Sequence, residues 1–138
     1  MEDDIDYTIL MADDDNDDCN LAREAFLECC DQVSVGCVLD GLELMEYLVG
    51  HAQPNSKGLP RLILLDLNMP RKDGRQALVE IKAEPMLKNI PIVIFTTSSE
   101  ENDIAFTMKA GAELFITKPE AFDEWLNIMR SLVDRWLN

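Results

Sequence analysis

Carboxylates directly follow two apolar segments of this chain, where they could bind a cation or act as a nucleophile. Asp66 comes after the run Leu62–Leu65, and the pair Asp13 and Asp14 comes after residues 7–12. Four apolar residues in a row are too few for a buried helix and are typical of a strand that is covered on both faces. Ligands of open α/β sheets bind at the carboxyl ends of such strands. Asp66 is therefore either a turn-capping residue or a reactive group.

A hydroxyl group and an amine follow two further apolar segments, at Thr96 and Lys118. Three carboxylates held close together repel one another, and a hard divalent ion such as Mg²⁺ with oxygen ligands relieves that repulsion. Mg²⁺ also neutralises the charge that develops during phosphoryl transfer. Lys118 could pair with Asp66 or with an added phosphoryl group, and Thr96 could donate a hydrogen bond to the same group. These residue types combine a carboxylate nucleophile, a metal site and a phosphate-binding lysine.

The elements that must position these residues alternate along the chain. Short segments typical of strands lie at residues 7–12, 33–39, 62–66, 91–95 and 114–117. Segments with apolar residues at helical spacing follow them, at about residues 16–30, 41–48, 77–85, 101–110 and 122–137. Crossovers of this length suit parallel strands, and right-handed connections favour the order 2-1-3-4-5. We expect a doubly wound α/β fold, with a five-stranded parallel sheet, five helices and the candidate residues at one edge.

Length and charge narrow the classes of function. The 138 residues predict a single domain, 1–138, with a short acidic extension at residues 1–6. The net charge of −15, from 27 acidic and 12 basic side chains, would be repelled by phosphate backbones and anionic lipid, so no nucleic acid or membrane partner is expected. The sequence has no apolar stretch long enough to span a membrane, and its acidic start is unlike a signal peptide. A cytoplasmic location is the expectation.

The four cysteines are Cys19, Cys29, Cys30 and Cys37, and no C-x-x-C pair occurs among them. Adjacent cysteines are poorly placed to bridge to each other. The sequence therefore predicts reduced thiols at or near core positions, without a bound metal.

The chain resembles a response-regulator receiver domain, of flavodoxin-like fold, over nearly all of its length. The resemblance depends on the order of a few residues at predicted strand ends: the acidic pair Asp13-Asp14, Asp66 in Leu-Leu-Asp-Leu-Asn-Met-Pro, Thr96, and Lys118-Pro119. Each motif is weak alone, but together in this order they are specific. The Thr96-Thr97-Ser98-Ser99 run, the loop after Gly50 and the last helix are similar to stand-alone receivers that pair with bacterial phytochrome-type kinases.

The resemblance implies that Asp66 accepts a phosphoryl group from a sensor histidine kinase and that the domain is not an enzyme in the usual sense. It further implies that Asp14, Asp66 and the backbone carbonyl of Asn68 hold Mg²⁺, with Asp13 acting through bound water. Lys118 would contact the phosphoryl group, and Thr96 would move towards it.

The aromatic residue Phe115 occupies the position of the family's switch residue and would turn inward behind the threonine. These changes would alter the face formed by the fourth helix, the fifth strand and the fifth helix. The bond between Lys118 and Pro119 is typically cis in this family. The downstream target would be a protein.

Simpler interpretations compete with each of these roles. Asp13 and Asp14 could begin a helix, Asp66 could cap a turn, Thr96 could be an ordinary loop residue, and Phe115 could be a core residue. A haloacid-dehalogenase-type phosphatase would want a second acid two residues after the nucleophile, where this chain has Asn68. A flavodoxin-type electron carrier would need hydroxyl groups, not aspartates, after its first strand. A receiver that docks without phosphorylation is the nearest alternative.

The last helix carries two tryptophans, Trp125 and Trp136, on a short amphipathic segment. Packing against the core explains them most simply. Since Trp136 lies in the last turn, a homodimer formed through the last helices is a further hypothesis.

Overall fold

The computed structural model describes residues 7–30, 32–52 and 58–137. The predicted acidic extension and the middle of the loop after Gly50 lie outside the described residues. Within the described ranges, no helix combines the length and apolar character needed to cross a membrane.

Five parallel strands form one sheet in the described part of the chain: β1 Ile9–Ala12, β2 Val35–Val38, β3 Leu62–Leu65, β4 Ile92–Thr96 and β5 Leu114–Thr117. Their order is β2-β1-β3-β4-β5, which confirms the predicted doubly wound topology. Two neighbours therefore flank the central strand β3, whose four residues are all buried. The carboxyl ends of β1 and β3 lie side by side, because Ala12 is the register partner of Leu65.

Five helices follow the strands: α1 Asn16–Cys29, α2 Gly41–His51, α3 Gly74–Ala83, α4 Glu101–Lys109 and α5 Phe122–Trp136. Aspartates cap the first three of these helices at their N-termini. Asp15 accepts hydrogen bonds from the backbone N–H groups of Asp17 and Asp18, and Asp40 and Asp73 do the same for α2 and α3. Such caps satisfy N–H groups that have no partner inside the helix, so each helix begins at a defined residue close to the site.

Helices on both faces of the sheet enclose two hydrophobic clusters. Leu10 and Ala12 point from β1 towards α2 and α3, whereas Ile9 and Met11 point towards α1 and α5. This alternation follows from the two-residue period of a strand. Because both faces are covered, the strands are continuously apolar, and this is why a run such as Leu62–Leu65 was a dependable strand signal.

The predicted element bounds agree with the structure to within a few residues. The first strand begins at Ile9, two residues later than expected, and the third ends at Leu65 instead of Asp66. The second helix extends to His51, whose imidazole stacks on the ring of Tyr47 at 3.9 Å between centroids.

The prediction of four reduced thiols is wrong in this structure, which pairs all four cysteines. Cys19 on α1 is joined to Cys37 on β2, with Cα atoms 6.4 Å apart, and Cys29 is joined to its neighbour Cys30. The Cα separation of the first pair lies within the range that a disulfide can span. Sequence spacing did not show that α1 packs its buried Cys19 directly against β2.

Candidate functional site

Three carboxylates converge at the carboxyl edge of the sheet, where β1 and β3 end. Asp13, Asp14 and Asp66 each contribute one oxygen atom, and these three atoms lie within 4.8 Å of one another. Asp13 and Asp66 are buried, whereas Asp14 is exposed and keeps the cluster open to solvent. The sequence prediction that these side chains meet at one edge is confirmed.

The backbone of β3 and of the start of α3 fixes the position of Asp66. Its N–H group donates to the carbonyl oxygen of Ala12 on β1 at 3.0 Å, and its Oδ1 atom accepts from the N–H group of Leu67 at 2.9 Å. Gly74 begins α3 directly against this segment, with its N–H group donating to the carbonyl oxygen of Leu67. A Cβ atom at position 74 would lie 2.1 Å from the carbonyl oxygen of Asp66. Only glycine permits this close approach.

Each carboxylate oxygen of Asp13 accepts a hydrogen bond from another residue of the protein. Its Oδ1 atom accepts a hydrogen bond from the N–H group of Asp15 at 2.9 Å, and its Oδ2 atom lies 2.6 Å from Nζ of Lys118. Burial raises the pKa of Asp13 to about 6, although the hydrogen bond from Lys118 acts in the opposite direction. The charged form of this carboxylate is therefore disfavoured by its surroundings, and added positive charge would favour it.

Lys118 follows β5 and reaches back across the end of β1. Its Nζ atom lies 2.6 Å from Oδ2 of Asp13 and 2.7 Å from Oδ2 of Asp18. Burial lowers the pKa of Lys118, but the hydrogen bonds to both aspartates outweigh that effect and hold the pKa above its usual value. We call Lys118, Asp13 and Asp18 the Lys118 cluster. From the sequence, Lys118 could pair with Asp66 or with an added phosphoryl group; in the structure its direct partners are two other carboxylates.

Asp18 is the residue that sequence reasoning missed. It lies with Asp17 in the first turn of α1, where acidic side chains compensate the helix dipole, and that placement alone suggests no role in the site. The missed signal was its position in the first turn of α1, five residues after Asp13, because α1 begins only four residues after the end of β1. A side chain on that side of α1 faces the strand end where Lys118 arrives.

Thr96 contributes a buried hydroxyl group without a partner. Its side chain is fully buried, and its Oγ1 atom is the buried side-chain polar atom that has no hydrogen-bond partner among the described residues. Leaving such a group unpaired costs about 1–3 kcal/mol. Thr96 ends β4, the strand beside β3, and a ligand oxygen within hydrogen-bond distance of Oγ1 would satisfy the hydroxyl group.

The remaining sequence-predicted residues lie around this edge. Asn68 is exposed in the turn after Asp66, and its backbone carbonyl as a metal ligand stays a prediction. Phe115 is half-buried on β5 and packs against the core cluster beneath α2 and α3, so its switch role also stays a prediction. The resemblance implied a cis bond between Lys118 and Pro119, but no peptide bond in the described ranges is cis.

A second ion-pair cluster borders the site on the side of α3 and α4. The Arg75 guanidinium donates to Oδ1 of Asp103, with the closer nitrogen at 2.7 Å, and the Ser98 hydroxyl group donates to Oδ2 of the same carboxylate at 2.8 Å. The Ser98 hydrogen bond and the Arg75 guanidinium hold the pKa of Asp103 below its usual value. We call Arg75, Asp103 and Ser98 the Arg75 cluster; it connects α3 to α4 and to the loop after Thr96.

Comparison with known proteins places this geometry in a family. Residues 9–130 match the family described as the response regulator receiver domain, and all three acids, Thr96 and Lys118 lie inside that range. The chain belongs to this family. Membership decides against the haloacid-dehalogenase-type phosphatase and the flavodoxin-type electron carrier, which share only parts of the pattern.

Known relatives cover almost the whole chain. The response regulator Rcp1 of Synechocystis sp. is 33% identical over 129 residues, which is 94% of this chain and 88% of the relative. The crystal structure of the phosphorylated cyanobacterial phytochrome response regulator RcpA has a TM-score of 0.85 at 36% identity, with 97% of this chain and 96% of the other covered.

The Mn²⁺-bound form of Rcp1 has a TM-score of 0.79 at 32% identity, with 96% of this chain and 95% of that chain covered. The predicted similarity to phytochrome-associated stand-alone receivers is therefore confirmed.

The residues present at this edge fit a divalent cation. Carboxylate oxygens are the ligands that hard cations take, and three of them converge here with one side open to water. Burial, more than the neighbouring Asp66, raises the pKa of Asp13, and a bound cation would favour the charged form of this carboxylate. Receiver domains bind a divalent metal, and the donor set of this chain is of the appropriate chemistry.

Proposed function

We propose that this protein is a two-component response regulator in which Asp66 accepts a phosphoryl group from a phosphohistidine of a sensor histidine kinase. A carboxylate oxygen of Asp66 forms the bond to phosphorus while the bond from phosphorus to the imidazole nitrogen breaks, and the imidazole leaves with the electron pair. The observation that supports this most strongly is the convergence of Asp13, Asp14 and Asp66 beside a buried ammonium group and an unpaired buried hydroxyl group.

Asp66 is the best nucleophile of the three acids. Both oxygens of Asp13 already take part in hydrogen bonds, with Asp15 and Lys118. Asp14 is exposed on the outer side of the cluster, where it is well suited to bind a cation. The Asp66 carboxylate accepts a hydrogen bond from Leu67 through Oδ1, and its Oδ2 atom accepts none within the described ranges, so Oδ2 is the oxygen that can attack.

Mg²⁺ is the proposed cation, held by Asp14, Asp66 and the backbone carbonyl of Asn68, with Asp13 acting through water. It would supply positive charge to the phosphoryl oxygens during transfer. Lys118 would contact a phosphoryl oxygen, and Thr96 would donate its unpaired hydroxyl hydrogen to another. In this proposal the domain assists its own phosphorylation and hydrolysis by orienting these groups, as a phosphoacceptor.

Output would pass from Thr96 to the face formed by α4, β5 and α5. Thr96 is the register partner of Thr117 on β5, and Thr117 lies two residues beyond Phe115. A movement of Thr96 would therefore act directly on the edge strand β5. We propose that Phe115 turns inward in response and that a downstream protein recognises the altered face. The proposed location is the cytoplasm, where a histidine kinase presents its phosphohistidine.

The test is the intact mass of the protein after incubation with acetyl phosphate and Mg²⁺. We expect one added phosphoryl group on wild type, none on Asp66→Asn, and none on wild type when a chelator removes the metal. Asp123→Asn is a matched control, because it removes one exposed carboxylate from the first turn of α5; we expect it to be modified as wild type is. An unmodified wild type that binds Mg²⁺ would contradict the proposal and favour a receiver that docks without phosphorylation.

Dimerisation through α5 is a separate proposal. The apolar face of α5 packs against the core through Trp125, Met129, Leu132 and Val133, which accounts for most of the amphipathic pattern. Trp136 in the last turn is only half-buried and lies beneath the Arg135 guanidinium. Sedimentation of the beryllofluoride-bound protein as a monomer at all concentrations would remove this proposal.

A further inference from the structure

Among the described residues, Lys118 forms ion pairs with Asp13 and with a residue of α1, and none with the phosphoacceptor Asp66. Its ammonium group is shared between Asp13 and Asp18, at 2.6 and 2.7 Å, and its side chain is only 7% exposed. Asp18 is 20% exposed and reaches the ammonium group from the first turn of the helix. An ammonium group has three donors, and two of them are occupied on the side of β1 and α1.

The two carboxylates that hold Lys118 differ in their relation to the site. Asp13 belongs to the three-carboxylate cluster, so positive charge bound there would weaken its attraction for Lys118. Asp18 is not part of that cluster, so a cation bound there would not be held by its carboxylate. It is therefore the carboxylate that goes on competing for Lys118 after the site is loaded.

We propose that Asp18 is a positioning residue that retains Lys118 in the resting site and competes with the phosphoryl group on Asp66 for its ammonium group. The proposal builds on the phosphoacceptor function of Asp66. A phosphoryl group recruits Lys118 only to the extent that it outcompetes the contact with Asp18. Asp18 consequently sets how strongly the phosphorylated form is stabilised, although it contacts neither the metal ligands nor the phosphoryl group itself.

Asp17 provides a matched comparison for Asp18. Both aspartates lie in the first turn of α1, and the N–H groups of both donate to the cap residue Asp15. The Asp17 side chain is exposed and has no contact with Lys118 among the described residues. A role in helix-dipole compensation would make the two substitutions equivalent, whereas a role in holding Lys118 would separate them.

The experiment measures the affinity of beryllofluoride, an analogue of the phosphoryl group, in the presence of Mg²⁺ by calorimetry. We expect Asp18→Asn to bind beryllofluoride about fivefold more tightly than wild type, because the largely buried ion pair between Lys118 and Asp18 no longer competes. We expect Asp17→Asn to stay within about twofold of wild type, because an exposed charge is screened by solvent and salt. Equal affinities in the two variants, or weaker binding by Asp18→Asn, would overturn the proposal.

A second measurement follows Lys118 directly in the protein without any ligand. The side-chain ammonium signal of Lys118, observed by nitrogen-15 NMR, should exchange with solvent faster in Asp18→Asn than in wild type or Asp17→Asn. Unchanged exchange in Asp18→Asn would overturn the proposed contact. Failure of wild type itself to bind beryllofluoride would instead contradict the phosphoacceptor function, so the two failures are distinguishable.

Discussion

The Lys118 cluster and the Arg75 cluster both connect elements at the carboxyl edge of the sheet, but they differ in burial. In the Lys118 cluster, the side chains of Lys118 and Asp13 are 7% and 1% exposed. In the Arg75 cluster, those of Arg75 and Asp103 are 31% and 13% exposed. One ion pair is thus removed from water almost completely, and the other retains part of its hydration.

This difference in burial reverses the direction of the pKa shift in the two aspartates. Burial raises the pKa of Asp13 to about 6, whereas the hydrogen bond from Ser98 and the Arg75 guanidinium lower the pKa of Asp103. A carboxyl whose pKa falls on folding stabilises the folded state when ionised, and one whose pKa rises does the opposite. The Arg75 cluster therefore stabilises the fold at neutral pH. The negative charge on Asp13 opposes folding at neutral pH. We attribute the retention of this buried acid to the chemistry of the site.

Removing the ammonium group from the Lys118 cluster should have the largest effect on stability. In Lys118→Met, Asp13 and Asp18 lose their shared partner while Asp13 remains buried, and we expect the free energy of unfolding to fall by about 3 kcal/mol. Urea denaturation without Mg²⁺ measures this change. Lys109→Met, which removes an exposed lysine from the last turn of α4, is the control and should differ little from wild type. A loss no larger than that of the control would mean that burial does not distinguish the two clusters.

Neutralising Asp13, the buried acid of the Lys118 cluster, should change the stability in the opposite direction. Asp13→Asn preserves the shape of the side chain and removes a charge that the site disfavours. Its single oxygen can accept from Asp15 or from Lys118, but not from both. Because Lys118 keeps its ion pair with Asp18 in this variant, we expect the free energy of unfolding to rise by about 1 kcal/mol at neutral pH, while Mg²⁺ binding weakens.

Asp14→Asn is the matched comparison for this variant. It removes an exposed carboxylate from the same cluster, so it should weaken Mg²⁺ binding with a smaller gain in stability. Urea denaturation and Mg²⁺ titration of both variants make the comparison, and a less stable Asp13→Asn would contradict our interpretation of the pKa shift.

The fold and the three converging acids could be predicted from sequence because strong local signals specify them. A run such as Leu62–Leu65 is compatible with few structures other than a strand covered on both faces, and parallel strands deliver their following residues to one edge. Asp13, Asp14 and Asp66 were therefore predicted to meet without knowledge of any contact. The order of the strands followed from the handedness of the crossovers.

The partners of Lys118 and the cysteine pairing could not be predicted in the same way. Both depend on how α1 is rotated against the sheet, which places Asp18 above the end of β1 and Cys19 against Cys37. A small rotation of α1 that keeps Ala22, Ala25 and Phe26 buried would change both contacts. Side-chain pairing across elements is thus determined by packing, on which the linear sequence gives little information.

Removing the acid of the Arg75 cluster should have the smallest effect on stability. In Asp103→Asn, α4 loses its ion pair with Arg75, and we expect the free energy of unfolding to fall by about 0.5–1 kcal/mol at neutral pH. Since the pKa of Asp103 is lowered in the folded protein, its contribution is complete above the unfolded pKa and is lost as the pH falls through the lower folded value. The difference between wild type and Asp103→Asn should therefore disappear in acid. Asp103→Asn should still be phosphorylated by acetyl phosphate, because Asp103 is not among the three converging acids. A variant that is no longer phosphorylated would mean that the Arg75 cluster belongs functionally to the site.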